Sequence, residues 1–254
     1  MSEQPVTADQ PPEEKMSFMD RAAGVFYEPS EVFQSLKNDG VKTIDWLLPL
    51  AILAILVSLA TYVNFSTPDL RMQFVQMQEQ RIEKSVNEGK MTADQAQQAR
   101  DRMEGSSGMF MAFGILGAIV GISIMFFITA GVWLLVGKYF LKGTSMTYAH
   151  AMGIAGTSSW IMAVGTIVGI VIAVMFSRFD GGLHLGLLTQ MDNENKVYVL
   201  LRNVNLFTLW NLAASAIGIT VFSGKKGFQS YVWVFGIWAV LVLANTFLLG
   251  GIFG

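Results

Sequence analysis

The feature that most constrains this chain is the separation of its charges from five long apolar stretches. No Asp, Glu, Lys or Arg occurs in five windows, which are 46–68, 105–137, 143–177, 203–224 and 227–254. A charge at the centre of a bilayer costs roughly 2.5–3.5 kcal/mol on insertion scales, so a membrane-spanning sequence excludes it. Charged residues make up 14% of the chain, against about 25% in an average soluble domain. The chain is therefore predicted to be an integral membrane protein.

The length of each window predicts how many times the chain crosses the membrane. About 20 helical residues cross a hydrocarbon core of roughly 30 Å, so each window holds one span and is too short for two. Solidly apolar runs favour helices over barrel strands, which alternate polar and apolar residues. The predicted fold is an all-α, polytopic helical bundle with five transmembrane helices, near 46–65, 109–137, 147–176, 204–222 and 229–252.

The segment before the first span, residues 17–44, predicts two short amphipathic helices separated by Pro29. Each places apolar side chains on one helical face, namely Phe18, Ala22, Val25 and Phe26 in the first helix and Val32, Phe33 and Leu36 in the second. Two placements are open. The helices lie on the membrane surface, or they pack against the protein's own spans. Residues 1–16 are polar and contain prolines, and are predicted to be a disordered tail.

The hydrophilic loop at 66–108 predicts a helical hairpin outside the membrane. A helical pattern covers residues 68–87, Gly89 interrupts it, and Thr92 with Gln95 forms a capping box for a second helix. The loop is either a solvated helical spacer or a short helical hairpin domain. Its turn resembles that of a short helical hairpin domain of many bacterial proteins, through the sequence Glu88-Gly89-Lys90-Met91-Thr92-Ala93-Asp94-Gln95.

The distribution of Lys and Arg beside the spans predicts the orientation of the chain. The two sides carry similar numbers of bases, but the second and fourth loops are very short and purely basic, with Lys138, Lys142, Lys225 and Lys226. Basic short loops are typical of the cytoplasmic side. We expect a cytoplasmic N-terminus and a C-terminus outside, in the plasma (inner) membrane if the protein is bacterial.

Polar groups within the spans are the default indicators of function in a membrane protein. The candidates are His150, Ser158, Asn205, Asn211 and Asn245. They either line a pathway or bond to a neighbouring helix, and the second role is the more frequent one. The residues form no recognisable catalytic group, cofactor motif or metal site, and the chain has no cysteine. With a net charge of −2, no nucleic-acid partner is expected.

Two GxxxG steps are candidates for helix packing, because small residues let helix backbones approach closely. Gly117 and Gly121 form one step in the second span, and Gly165 and Gly169 form the other in the third. Two interpretations are open. The steps pack spans two and three together within one chain, or they form a dimer interface.

The order and spacing of several segments resemble the Yip family of five-span membrane proteins, named for members that interact with Rab-type GTPases. The likeness runs from about Phe18 to the C-terminus and is greatest to bacterial members. The segments that carry it are Phe26-Tyr27-Glu28-Pro29-Ser30-Glu31-Val32-Phe33, Trp46 with Pro49, Val136-Gly137-Lys138, Tyr148-Ala149, Gly156-Thr157-Ser158-Ser159, Asn205-Leu206-Phe207-Thr208-Leu209-Trp210 and Ile217-Gly218.

This resemblance implies a non-enzymatic membrane scaffold or adaptor that organises membranes or recruits proteins. Its expected partners are the lipid bilayer and either a second copy of the chain or another membrane protein. The alternative function is a small-solute transporter or channel. A polar cavity lined by Ser158, Asn211 and Asn245 would favour that alternative.

Overall fold

The computed structural model describes residues 15–105, 107–225 and 227–248, which are about 80% helical and contain no strand. The predicted tail, residues 1–16, lies largely outside the described residues. Ten α-helices follow in order: α1 (Phe18–Gly24), α2 (Pro29–Asp39), α3 (Thr43–Ser66), α4 (Pro68–Asn87), α5 (Ala93–Gly105), α6 (Ser107–Leu135), α7 (Tyr148–Phe176), α8 (Lys196–Asn203), α9 (Leu206–Ser223) and α10 (Gln229–Phe247). The predicted all-α fold is confirmed.

Five of these helices are long and apolar enough to cross a membrane, as predicted. They are α3, α6 together with the turn of π-helix that extends it over Val136–Phe140, α7, α9 and α10. Helix α7 lies at the centre and packs against α3, α6 and α9, while α10 packs against α9. The bundle is thus organised around the third span.

The first span begins earlier than its charge-free window suggests. Helix α3 starts at Thr43 and includes Asp45, so Pro49 lies in its second turn. Proline has no N–H, so residue 49 donates no helical hydrogen bond to the carbonyl of Asp45. Gly156 of α7 packs against this point, where an added Cβ would lie 2.8 Å from that carbonyl oxygen. The α3–α7 contact therefore depends on a glycine facing an open backbone carbonyl.

The two N-terminal helices pack on the bundle at the side that we call the N-terminal side, which also holds residues 141–147, 224–225 and 227–228. Val32, Phe33 and Leu36 of α2 are fully buried. The Phe33 ring approaches Gly218 of α9, and Lys37 donates a hydrogen bond to the Val221 carbonyl at 2.7 Å. Of the two placements open from the sequence, the structure shows packing against the spans.

The opposite end of the bundle, the hairpin side, holds α4, α5 and residues 177–205. The predicted capping box is present, since the Thr92 N–H donates to Gln95 Oε1 at 2.9 Å and the Gln95 N–H donates to Thr92 Oγ1 at 3.2 Å. Gly89 has a φ of +69°, a conformation that glycine adopts without the strain of a side chain. Arg100 of α5 donates two hydrogen bonds to Glu79 of α4, at 2.8 and 2.6 Å. These contacts close the predicted helical hairpin.

Candidate functional site

The hairpin side carries a polar network centred on Asp180, just beyond the end of α7. Arg178 donates two hydrogen bonds to the Asp180 carboxylate, at 2.9 and 2.8 Å, and the Tyr198 hydroxyl donates a third. Arg178 also donates to the carbonyl of Thr189 at 3.1 Å and to that of Gly186 at 3.4 Å. A partly buried ion pair and its hydrogen bonds therefore tie the end of α7 to α8 and to the loop between them.

The protonation of this network follows from its contacts. Burial would raise the pKa of Asp180, but the hydrogen bonds from Arg178 and Tyr198 outweigh it and hold that pKa below its usual value. Burial, together with the hydrogen bond to Asp180, raises the pKa of Tyr198 to about 12. At neutral pH the site therefore contains a carboxylate, a guanidinium and a neutral phenol.

His184 completes the network from a buried position. Its Nε2 lies 2.7 Å from the backbone oxygen of Asp180, which can only accept, so this nitrogen donates. Its Nδ1 is buried without a hydrogen-bond partner among the described residues, and Gly186 lies against it. Through this hydrogen bond His184 fixes a turn of the chain. The described residues contain no cluster of His, Cys, Asp and Glu that could hold a metal ion.

Beside this network lies a cavity of about 230 Å³. Its floor is the small-residue face of α7, its walls come from α3 and α9, and residues 179–182 cover one end. None of the residues that line it is ionisable; they are Ala60, Asn64, Met162, Gly165, Thr166, Gly169, Ile170, Ala173, Phe179, Gly181, Gly182, Asn205 and Phe207. The cavity is thus uncharged, and its surface combines apolar and polar groups.

The five polar candidates from the sequence do not converge on this cavity. Asn205 lines it and caps α9, accepting from the Phe207 N–H at 2.9 Å and the Thr208 N–H at 3.3 Å. His150 belongs to the capping box of α7 with Thr147 on the N-terminal side. Asn245 is buried in α10. The structure therefore distributes these three residues over separate places.

Ser158 and Asn211 come together, but as a contact between helices. Asn211 of α9 donates to the Ser158 carbonyl of α7 at 2.8 Å, and Ser215 donates to the Ser158 hydroxyl at 3.2 Å. Buried amide and hydroxyl groups in a span stabilise helix association in this way. Neither Ser158 nor Asn211, nor Asn245, lines the cavity.

The two glycine steps lie in different surroundings. An added Cβ at Gly165 would come within 2.7 Å of Phe207 in α9, and one at Gly169 within 3.1 Å of the Gly181 carbonyl. At Gly117 and Gly121, nothing among the described residues lies within 4 Å of such an atom. The step in α7 therefore packs against α9 and the loop that covers the cavity, whereas the step in α6 faces away from the protein.

A second buried ionic cluster, absent from the sequence predictions, fixes the N-terminal helices. Arg21 of α1 pairs with Asp39 at the end of α2 and with Asp45 of α3, the latter at 3.4 Å, and donates to the Ser35 hydroxyl at 3.2 Å. Asp45 also accepts from the Lys42 N–H at 2.7 Å. The sequence shows Arg21 and Asp45 only as charged residues at the edges of apolar segments. Sequence patterns do not indicate that these two residues form an ion pair.

The hairpin is attached to the same loop that covers the cavity. The side chain of Gln73 in α4 donates to the Ser177 carbonyl at 2.5 Å and accepts from the Phe179 N–H at 2.9 Å. The Phe74 ring lies between Phe65 and Phe179, with centroid separations of 4.9 and 5.7 Å. Helix α4 is therefore held in a defined position over the end of the bundle.

Five apolar spans, with ionic clusters confined to the two ends, define an integral, multi-pass membrane protein. The Yip1 domain family model matches residues 23–249, which is most of the chain. The protein therefore belongs to the Yip1 domain family, in agreement with the resemblance seen in the sequence. Searches of curated proteins and of solved structures found no match.

Proposed function

We propose that this Yip1-domain protein is a non-enzymatic membrane scaffold that recruits a protein partner through the hairpin formed by α4 and α5. The observation that carries the proposal is the attachment of this hairpin to the loop at 177–179, through Gln73 and Phe74. A surface held in one orientation loses little conformational entropy when it binds, which favours recognition. A flexible spacer would gain nothing from these contacts.

The outward face of α5 provides the proposed contact surface. Ala96 is buried against the hairpin, while the residues on the other face are exposed and polar, among them Gln97, Gln98, Asp101 and Arg102. Such a polar face suits a reversible contact with a protein partner. The family to which the chain belongs supports a role in membrane organisation.

We infer that the N-terminal side faces the cytoplasm. Its short loops carry Lys138, Lys142 and Lys225 without an acidic residue, as the positive-inside rule requires. Because the chain has no cysteine, single cysteines at the exposed positions Gln34 and Gln98 report the two sides separately. With an impermeant maleimide on intact cells, we expect labelling at residue 98 and protection at residue 34; the reverse result would invert the orientation.

The alternative, a small-solute transporter or channel, has less support. Asn211 donates to the Ser158 carbonyl across a helix contact, and the cavity lies at one end of the spans. A pathway would need polar groups along the depth of the bundle.

The scaffold proposal is tested by a matched pair of surface variants. Gln98→Arg with Asp101→Arg changes the outward face of α5. Glu31→Arg with Gln34→Arg makes an equal change of charge, at the same spacing, on the exposed face of α2. In detergent extracts of crosslinked membranes, a partner or second copy should be recovered with wild type and the α2 variant, and lost with the α5 variant. Recovery of neither partner nor homo-oligomer with wild type would overturn the proposal.

A further inference from the structure

The cavity between α3, α7 and α9 contains polar groups that the fold itself does not use. The Asn64 carboxamide has no hydrogen-bond partner among the described residues. Asn205 uses its Oδ1 to cap α9, and its Nδ2 donates no bond to a described residue. Both side chains are half-buried, so these amide groups are accessible from the cavity. Two carboxamides that line one cavity can therefore donate to an occupant with hydrogen-bond acceptors.

The position of the cavity along the spans determines what kind of molecule fits. Asn64 lies in the last turn of α3, and Asn205 immediately precedes α9, so both amides lie at the end of the spans. Thr166 lies ten residues before the end of α7, which corresponds to about 15 Å along the helix. The cavity therefore runs from the level of lipid head groups and esters into the hydrocarbon region.

The lining becomes apolar with depth and carries no charge. Around Thr166 the surface is formed by Met162, Gly165 and Ile170, and the Thr166 hydroxyl already donates to the Met162 carbonyl at 2.9 Å. The residues at this depth are partly exposed, and the cavity is open to the surroundings of the bundle rather than enclosed. The occupant thus has an uncharged polar end and an apolar tail, and it can enter from the bilayer.

The volume limits how much of that molecule the cavity holds. Pockets for drug-sized ligands measure roughly 300–1,000 Å³, whereas this cavity measures about 230 Å³. It therefore takes one segment of a larger molecule. We propose that the cavity binds a bilayer glycerolipid, with an ester carbonyl accepting from Asn64 and Asn205 and one acyl chain lying against Met162, Thr166 and Ile170 of α7.

This proposal is independent of the scaffold role and is tested on the full chain in proteoliposomes. The probe is phosphatidylcholine with a diazirine in one acyl chain, crosslinked by light and mapped by mass spectrometry. Label is expected on residues 60–64 and 162–170 above the level found on the exposed face of α6. A uniform distribution of label over all lipid-facing helices would overturn the proposal.

Neighbouring residues of α3 provide a matched pair of variants. Ala60→Phe fills the cavity and should abolish the label on residues 162–170, whereas Leu59→Phe, at an exposed position, should leave it unchanged. Asn64→Leu removes about one hydrogen bond, worth about 1 kcal/mol. The affinity of the cavity for the lipid probe should therefore fall roughly fivefold. Equal labelling of all three variants would show annular lipid rather than a site.

Two further measurements keep the outcome clear. Thermal unfolding of Ala60→Phe within a few degrees of wild type shows that loss of label is not loss of fold; if this variant unfolds, Asn64→Leu decides the result. Lipid extraction from the purified protein should recover retained glycerolipid from wild type and less from Asn64→Leu. Protein that is free of lipid and keeps its thermal stability would point to a water-filled cavity and overturn the proposal.

Discussion

The cluster of Arg21 with Asp39 and Asp45 predicts that one substitution detaches the N-terminal helices from the bundle. Arg21→Met keeps much of the side-chain volume but leaves the buried Asp45, whose side chain is 3% exposed, without its cation. Breaking a buried ion pair by removing one partner costs about 3–5 kcal/mol. Because the Arg21 cluster joins α1 and α2 to α3, most of that cost should make it easier for α1 and α2 to separate from the bundle.

The absence of native cysteine provides the assay. Val32→Cys places a small apolar thiol at a fully buried position of α2, where labelling by maleimide requires α2 to leave the bundle. Each 1.4 kcal/mol changes an equilibrium constant tenfold. Arg21→Met should therefore increase the labelling rate by a factor of between roughly 100 and several thousand. Lys37→Met removes a cation and one hydrogen bond from the exposed face of α2. It should raise the labelling rate by only about two- to tenfold.

The cost should arise from unpaired carboxylates rather than from lost packing. Adding Asp39→Asn and Asp45→Asn to Arg21→Met should therefore restore much of the protection of Val32→Cys. If Arg21→Met and Lys37→Met raise the labelling rate equally, the buried pair does not hold α2 in place and this reasoning is refuted.

Three more predictions concern the glycine steps and the Asp180 network. Gly165→Ala should lower thermal stability in detergent, because its Cβ meets Phe207, while Gly117→Ala should leave the monomer unchanged; equal effects would contradict the packing described. Because the pKa of Tyr198 is raised in the folded protein, Tyr198 contributes stability that is fully present below pH 10 and is lost as the pH rises to about 12. Tyr198→Phe should therefore flatten this alkaline fall in melting temperature. The depressed pKa of Asp180 contributes stability above about pH 4 that is lost at lower pH; the melting-temperature deficit of Asp180→Asn at pH 7 should therefore shrink at pH 3.

The spans could be predicted from the sequence because exclusion of charge from the bilayer acts on each residue by itself. The start of α3 could not, since Asp45 lies inside the helix and Arg21, far away along the chain, neutralises it. A rule based on charge-free windows places the boundary after such a residue. The same reason applies to Pro49, whose position in the helix follows from where α3 begins.

The polar candidates show the limit of composition as a guide to sites. Ser158 and Asn211 were visible in the sequence, but their contact depends on how α7 crosses α9. Asn64 was not among the five candidates, and its significance depends on the space between three helices. Periodicity places a residue on a face of one helix, whereas a cavity exists only between several.

The loop at 177–205 is moderately apolar and has no motif, yet most features of the hairpin side meet there. Phe179 lines the cavity, its ring contacts Phe74 of α4, and its N–H donates to Gln73. Arg178 and Asp180 on either side hold the chain in this path. A displacement of Phe179 must therefore disturb α4 or break the bond to Gln73, because both contacts belong to one residue. Because the spans largely exclude charge, charged side chains lie at the ends of the bundle. At the hairpin end, the same few residues cover the cavity and attach the hairpin.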